Sequence, residues 1–391
     1  MRVLHVIPSV SAVHGGPSHA IVAMETALAK CGIEVETVTT DDDGPGRHNG
    51  RADGETVKQN GVLRHYFRKR AEFYKMAPSM ARWFSKNIQQ YDLVHIHALF
   101  SFSSTVAARA ARRYGVPYII RPLGVLNRYG IENRRPGLKR LSFRYVEGTI
   151  LREAAAIHFT ARAERDEAGL LGIAMRREIV IPLGVVEANS ELRSPRDFGD
   201  ARSPAQAARL LFLSRLDPIK NVEGLLSAFR QVLDRMPGTR LMMAGSGQET
   251  YVAALQTQAR SLGIQDQVDW LGHVEGVEKQ KVMKTADLFV LPSFSENFGI
   301  AAVEALATGL PCVLGEGVAI ADDVVAARAG VAVAPEASAI AEGVLAILGD
   351  RDRWRIMASN AEQLARERYS VDAMGQALVA LYKDILADAR Q

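Results

Sequence analysis

Apolar, β-rich runs alternate with amphipathic stretches along this 391-residue chain, which predicts an α/β protein of two doubly wound, Rossmann-like domains. Three observations carry the prediction. The apolar runs are continuous and do not alternate with polar residues, as strands do when helices cover both faces of a parallel sheet. The chain is too long for one hydrophobic core. One polar stretch, residues 187–208 (EANSELRSPRDFGDARSPAQAA), interrupts the alternation and reads as a linker. The domains are therefore placed at 1–190 and 205–370.

In the first domain the strand candidates are Arg2–Pro8, Ile33–Thr39, Val62–Tyr66, Asp92–His97, Pro117–Arg121, Ala156–Thr160 and Glu178–Pro182. Helical periodicity falls between them near 18–30, 79–90, 101–113, 138–153 and 162–171. In the second, strands are expected at Leu210–Ser214, Arg240–Gly245, Val268–Leu271, Leu288–Pro292 and Cys312–Leu314, with helices near 221–235, 248–262, 276–286 and 299–308. Residues 371–391 carry one more helical pattern. Residues 41–60 are polar, glycine-rich and long for a connection, so mobility is expected there, either as a lid or as a plain loop.

Composition bounds the class. Hydrophobic content of 48% with 24% charged residues is that of a globular protein. No apolar run is long enough to span a membrane, and MRVLHVIPSV reads as a buried strand and not a signal peptide, so a cytoplasmic location is expected. Two cysteines, Cys31 and Cys312, build neither a disulfide framework nor a metal cluster. Charge is uneven: residues 1–190 hold 27 basic and 18 acidic side chains, residues 191–391 hold 21 and 26. The basic excess gathers between Arg109 and Arg152, and includes Arg112, Arg113, Arg128, Arg134, Arg135, Lys139, Arg140 and Arg144. Such a region suits an anionic partner, either a membrane surface or a phosphorylated acceptor. A solvated helical face is the alternative. Nucleic acid is disfavoured because no recognition motif accompanies the charge.

The most informative stretch is 295–313, SENFGIAAVEALATGLPCV. Glu296 and Glu304 stand eight positions apart around an Asn-Phe-Gly step. Asn297 or Phe298 is read as the start of a short helix, Gly299 lets backbone approach a ligand, and Gly309 with Pro311 ends the helix. A helix N-terminus between two carboxylates suits a diphosphate flanked by two polyols, because amides take phosphate and carboxylates accept from hydroxyls. A nucleotide-sugar has that shape. A second constellation, LSRLDPIKN (213–221), sets Arg215 and Lys220 in a strand-to-helix loop, where two cations can neutralise a diphosphate. A third, Gly15-Gly16 after the first strand, permits a tight turn with exposed amides; the dinucleotide fingerprint G-x-G-x-x-G is absent, which disfavours a nicotinamide enzyme. His95 and His97 share one face of a strand. A metal pair lacks an evident third ligand, so His95 is read as a hydrogen-bonded core residue and His97, nearest the strand's carboxyl edge, as projecting toward the cleft. Arg121, ending another strand, reaches the same edge, for an acceptor phosphate or an interdomain ion pair. Asp41-Asp42-Asp43 lies in the 41–60 loop and Asp322-Asp323 starts a helix, so no metal site is expected, and no cofactor.

The string around Glu296 and Glu304 resembles the E-x7-E motif of retaining glycosyltransferase family 4, whose fold is GT-B, two Rossmann-like domains facing across a cleft. The resemblance spans nearly the whole chain and is strongest over 209–315. It implies a terminal helix, 371–391, packing back on the first domain. It also implies that Arg215 and Lys220 hold the donor diphosphate, although Ser214 and Asn221 depart from the family's flanking residues. Glu296 would hold the sugar and Glu304 the ribose, with Asn297, Phe298 and Gly299 between them. Gly15, Gly16, Gly245 and Gly247 would lie by the nucleotide, Val274 with His273 by the base, and His97 by the transferred sugar.

The expected activity is retaining, metal-independent transfer of a hexose-type sugar from UDP- or GDP-sugar to a glycan or lipid-linked acceptor hydroxyl, as in polysaccharide, lipopolysaccharide or glycolipid assembly. Peripheral contact with an anionic inner membrane would go with a lipid-linked acceptor. A nucleotide-sugar epimerase and a non-catalytic nucleotide-sugar-binding protein are the alternatives.

Overall fold

A computed structural model describes residues 1–126, 143–185 and 208–389. Five of the basic residues named above, Arg128, Arg134, Arg135, Lys139 and Arg140, and nearly all of the linker fall outside them. The chain forms two compact units, Met1–Gly184 with Val371–Gln391, and Val185–Ser370.

In the first unit, strands β1 (Arg2–Val6), β2 (Glu34–Thr40), β3 (Glu55–Gln59), β4 (Val62–Phe67), β5 (Leu93–His97), β6 (Tyr118–Arg121), β7 (Ala156–Phe159) and β8 (Glu178–Val180) form one sheet. Its order is β3-β4-β2-β1-β5-β6-β7-β8, parallel except for β3 against β4. Helices α1 (Gly16–Lys30), α2 (Pro78–Asn87), α3 (Phe102–Arg113), α4 (Gly148–Glu153) and α5 (Arg162–Gly169) accompany it. Leu4, Val6, Val94, Ile96, Ile120 and Ile157 sit in the core, each fully enclosed. Burial of such side chains is worth roughly 1.5–3 kcal/mol each. The terminal helix Val371–Asp388 packs on α1, closely enough that a Cβ at Gly375 would lie 3.0 Å from the Ala27 carbonyl oxygen.

Residues 41–60 are more ordered than their composition suggests. Asp42 is buried, takes ion pairs from Lys69 and Lys75, and lies 2.9 Å from His14 Nε2. The end of the stretch is β3, a polar edge strand.

In the second unit, β9 (Arg209–Leu213), β10 (Arg240–Ala244), β11 (Val268–Gly272), β12 (Leu288–Leu291), β13 (Cys312–Gly315) and β14 (Gly330–Val333) are all parallel, in the order β11-β10-β9-β12-β13-β14. Helices α6 (Val222–Arg235), α7 (Glu249–Ser261), α8 (Gly276–Thr285), α9 (Ile300–Ala307), α10 (Ala321–Ala326), α11 (Ala337–Leu348) and α12 (Arg351–Arg368) join and follow the strands. The strand order reverses between β9 and β12 here, and between β1 and β5 in the first unit. At such switch points the loops leaving two neighbouring strands part in opposite directions and open a crevice at their carboxyl ends, where α/β proteins bind ligands.

Candidate active site

In the second unit both switch-point loops carry the residues singled out in the sequence. The loop after β9 runs through Ser214 to Asn221, and the loop after β12 from Pro292 to Gly299. The Lys220 ammonium bonds the Glu296 carboxylate directly, joining the two loops. Lys220 is largely buried, and Asp217 caps the turn that delivers it by accepting from the Ile219 amide. Arg215, on the same loop, is 71% exposed, with only a 3.7 Å contact to Asp217. An exposed pair of that kind holds a side chain weakly, so its guanidinium is available to an anion.

Glycine geometry fixes this arrangement. Gly245 has φ +146° and packs so tightly that a Cβ would come 1.8 Å from the Ser214 carbonyl oxygen; at Gly247 the corresponding distance to the Leu216 carbonyl oxygen is 2.2 Å. The Leu216 amide donates to the Ser246 carbonyl at 2.8 Å. The 245–247 turn thus braces the backbone from which Arg215 projects.

Helix α9 begins two or three residues later than the Asn297 or Phe298 start read from the sequence. Gly299, at φ +83°, is its N-cap, and Ile300 is the first helical residue. Asn297 is exposed, and Phe298 turns inward against Tyr369, ring centroids 5.9 Å apart. The first amides of such a helix have no partner inside it and carry its positive end. Glu304 lies farther along α9 and receives the Lys279 ammonium from α8 at 2.6 Å. Each glutamate is therefore held by a lysine through one oxygen. Lys279 carried no signal in the sequence, because only the packing of α8 brings it there. Val274 is buried at the loop before α8.

In the first unit, Gly15 (φ +66°) is the N-cap of α1, Gly16 is its first residue, and they follow β1 at that sheet's switch point. His97 ends β5 and is fully enclosed. It lies in a cluster of four buried histidines, His5, His95, His97 and His158, with Tyr382 of the terminal helix. His95 has the hydrogen-bonded core role expected of it. His5 is the third histidine that sequence reasoning did not find. Nitrogens of His5, His95 and His97 lie within 4.8 Å of one another, but hydrogen bonds occupy several of them, and Arg121 adds a positive field.

Burial holds these rings neutral. His5 and His158 are pushed down to about 3, and His95 and His97 well below their ordinary range, with the Arg121 charge adding to the effect. Arg121 is itself buried and pushed down to about 10 by desolvation. Among the described residues its contacts are a 3.9 Å approach to the Met24 sulfur and no ion pair, and its Nε has no hydrogen-bond partner. The residues that follow these two strand ends are strained: Ala98 at φ +102°, Phe100 at +54° and Leu123 at +61°. Left-handed non-glycine residues cost about 1–3 kcal/mol each and gather at functional sites.

A cavity of about 430 Å³ lies at the start of β6, lined in part by Arg112, Arg176 and Arg177. Two of these arginines are already paired, Arg112 of the basic region with Glu153, and Arg177 with Asp388. Among the described residues, no helix is long and apolar enough to cross a membrane.

Comparison with known proteins agrees with both halves. Residues 15–184 match the family described as Glycosyl transferase 4-like domain, and residues 194–364 match Glycosyl transferases group 1. An uncharacterized glycosyltransferase of Methanocaldococcus jannaschii is 35% identical over 176 residues, 44% of either chain. A D-inositol 3-phosphate glycosyltransferase of Nocardia farcinica is 30% identical over 69% of this chain and 62% of its own. The chain spans about half the length of the curated relatives it matches. Among solved structures, Anabaena HepE in complex with UDP superposes with a TM-score of 0.77 at 21% identity, over 98% of this chain and all of that one. The sheet order, the two matched regions and this likeness agree: the chain has the GT-B fold and belongs to the group 1 glycosyltransferases.

Proposed function

We propose that the chain is a retaining, metal-independent hexosyltransferase, and that the second unit's switch point takes the donor, a UDP- or GDP-sugar. The observation that carries the reading is the Lys220–Glu296 contact across that switch point, with exposed Arg215 on the same loop as Lys220 and the α9 N-terminus following Glu296. An ammonium has three protons. One on Glu296 leaves two for a phosphate oxygen, and the second carboxylate oxygen of Glu296 remains for a sugar hydroxyl. Lys279 leaves Glu304 with an oxygen for the ribose in the same way.

Departure of the nucleotide builds negative charge on phosphate and positive charge on the anomeric carbon. Arg215, Lys220 and the first amides of α9 are placed to offset the first without a divalent ion. Asp42, the central residue of the triple-aspartate stretch, is already neutralised by lysines. Glu296 bonded to Lys220 reads as a positioning group and not a covalent nucleophile, so attack from the face the nucleotide leaves, with a β-phosphate oxygen as base, is the favoured course. Gly245, Gly247 and Val274 are assigned to the nucleotide. In the first unit, Gly15 and Gly16 are assigned to phosphate, His97 to the transferred sugar, and the unpaired Arg121 to a phosphate of the acceptor. A glycan or lipid-linked acceptor suits that charge.

A thermal-shift series with UDP-, GDP-, ADP- and TDP-sugars, with and without EDTA, tests this reading. A ligand that binds only the folded state raises the melting temperature by mass action. One nucleotide should stabilise the protein equally in both buffers. Stabilisation that vanishes in EDTA would overturn the metal-free clamp, and none from any donor would overturn the donor assignment.

A further inference from the structure

The four buried histidines and Tyr382 form one continuous hydrogen-bonded chain whose direction is set at one end. His158 Nε2 lies 2.8 Å from the carbonyl oxygen of Ile181, which can only accept, so Nε2 carries the proton and Nδ1 is bare. That bare nitrogen, 3.3 Å from His95 Nε2, accepts from it. His95 Nδ1 must then accept, and the Tyr382 hydroxyl donates to it at 2.7 Å. The phenolic oxygen, its own proton committed, accepts from His5 Nε2 at 3.4 Å. His5 Nδ1 is left to accept from His97 Nε2 at 3.1 Å. Each step follows from the one before, and the last atom is His97 Nδ1, a buried lone pair with no partner.

We infer that His158, His95, Tyr382 and His5 are positioning residues, which fix His97 as its Nε2–H tautomer with Nδ1 as an acceptor. Burial and the neighbouring Arg121 keep the rings neutral, so the chain is not short-circuited by a doubly protonated member. Burial also pushes the Tyr382 phenol up, leaving it a proton donor. An unsatisfied buried acceptor costs about 1–3 kcal/mol, and His97 directly precedes strained Ala98 in the chain at the switch point of its sheet. A ligand hydroxyl can relieve that cost; an acceptor-only group cannot. This consequence rests on the transferase reading, in which His97 meets the transferred sugar. The tautomer order itself does not.

The test is therefore made without ligand. Long-range ¹H–¹⁵N correlation on protein labelled with ¹⁵N-histidine distinguishes protonated from bare ring nitrogens. Wild-type protein at pH 7.5 should give these four rings neutral, all with Nε2 protonated and Nδ1 bare. Any one of them with the proton on Nδ1 breaks the order and overturns the inference. Tyr382→Phe should release two of the four, His5 and His97, into mixed tautomers, while His95 and His158 stay fixed by Ile181. Four unchanged rings in that variant would make Tyr382 a packing residue only. Should the variant fail to fold, the wild-type spectrum still decides the order.

Discussion

Mild acid should open the first unit and spare the second. Four histidines there are neutral in the folded state at every pH above their depressed values, two of them near 3. In the unfolded chain they titrate near 6.5. The folded pKa lies below the unfolded one, so their neutral burial is free of penalty above about pH 6.5 and costs stability as pH falls towards the folded values. One pH unit below the unfolded value, each ring costs about 1.4 kcal/mol, and four cost about 6. That compares with about 5–15 kcal/mol for a whole domain. The second unit holds one histidine, the exposed His273, and serves as an internal control. Hydrogen exchange measured at pH 7.5, 6.5 and 5.5, corrected for intrinsic rates, gives opening free energies for β1 and β5 and for β9 and β12. The first pair should lose several kcal/mol over that range and the second pair little. Equal responses, or a change of under 1 kcal/mol in β1 and β5, would refute the argument from buried neutral rings.

Two further outcomes follow from the second unit. Gly245→Ala places a Cβ 1.8 Å from a carbonyl oxygen at a φ that suits only glycine; a loss of about 3 kcal/mol in urea unfolding is expected, whereas Gly263→Ala, at φ +66° with open space around it, should cost clearly less. Glu304→Ala should weaken nucleoside binding about tenfold or more, the worth of a charged hydrogen bond of roughly 1.5–3 kcal/mol, read by calorimetric titration; unchanged affinity would remove Glu304 from the ribose.

Most of the fold was legible because a parallel sheet writes itself as long apolar runs. The strands that form the switch points, β1, β5, β9 and β12, were all in view. Two were not: β3, with the polar sequence ETVKQ, is an edge strand paired on one side, and β14, GVAV, is a four-residue strand at the other sheet's edge. The stretch 41–60 looked unanchored since its partners, Lys69 and Lys75, come from after β4. The donor-side candidates were readable as motifs because each is a short string on one loop. The histidine chain was not. It needs β1 beside β5, which pairs His5 with His95 across 90 residues, and a terminal helix that brings Tyr382 to them. Lys279 was invisible for the same reason, being a partner supplied by packing and not by spacing.

The central claim is that Lys220 and Arg215 form a diphosphate clamp at the β9–β12 switch point. Calorimetric titration of wild type and Lys220→Ala, each with the nucleoside diphosphate chosen by the thermal-shift series and with its parent nucleoside, tests it most directly. Loss of a charged contact to phosphate should weaken diphosphate binding tenfold or more, from roughly 1.5–3 kcal/mol, and leave the nucleoside within about twofold. Equal weakening of both ligands, or of neither, would contradict the account.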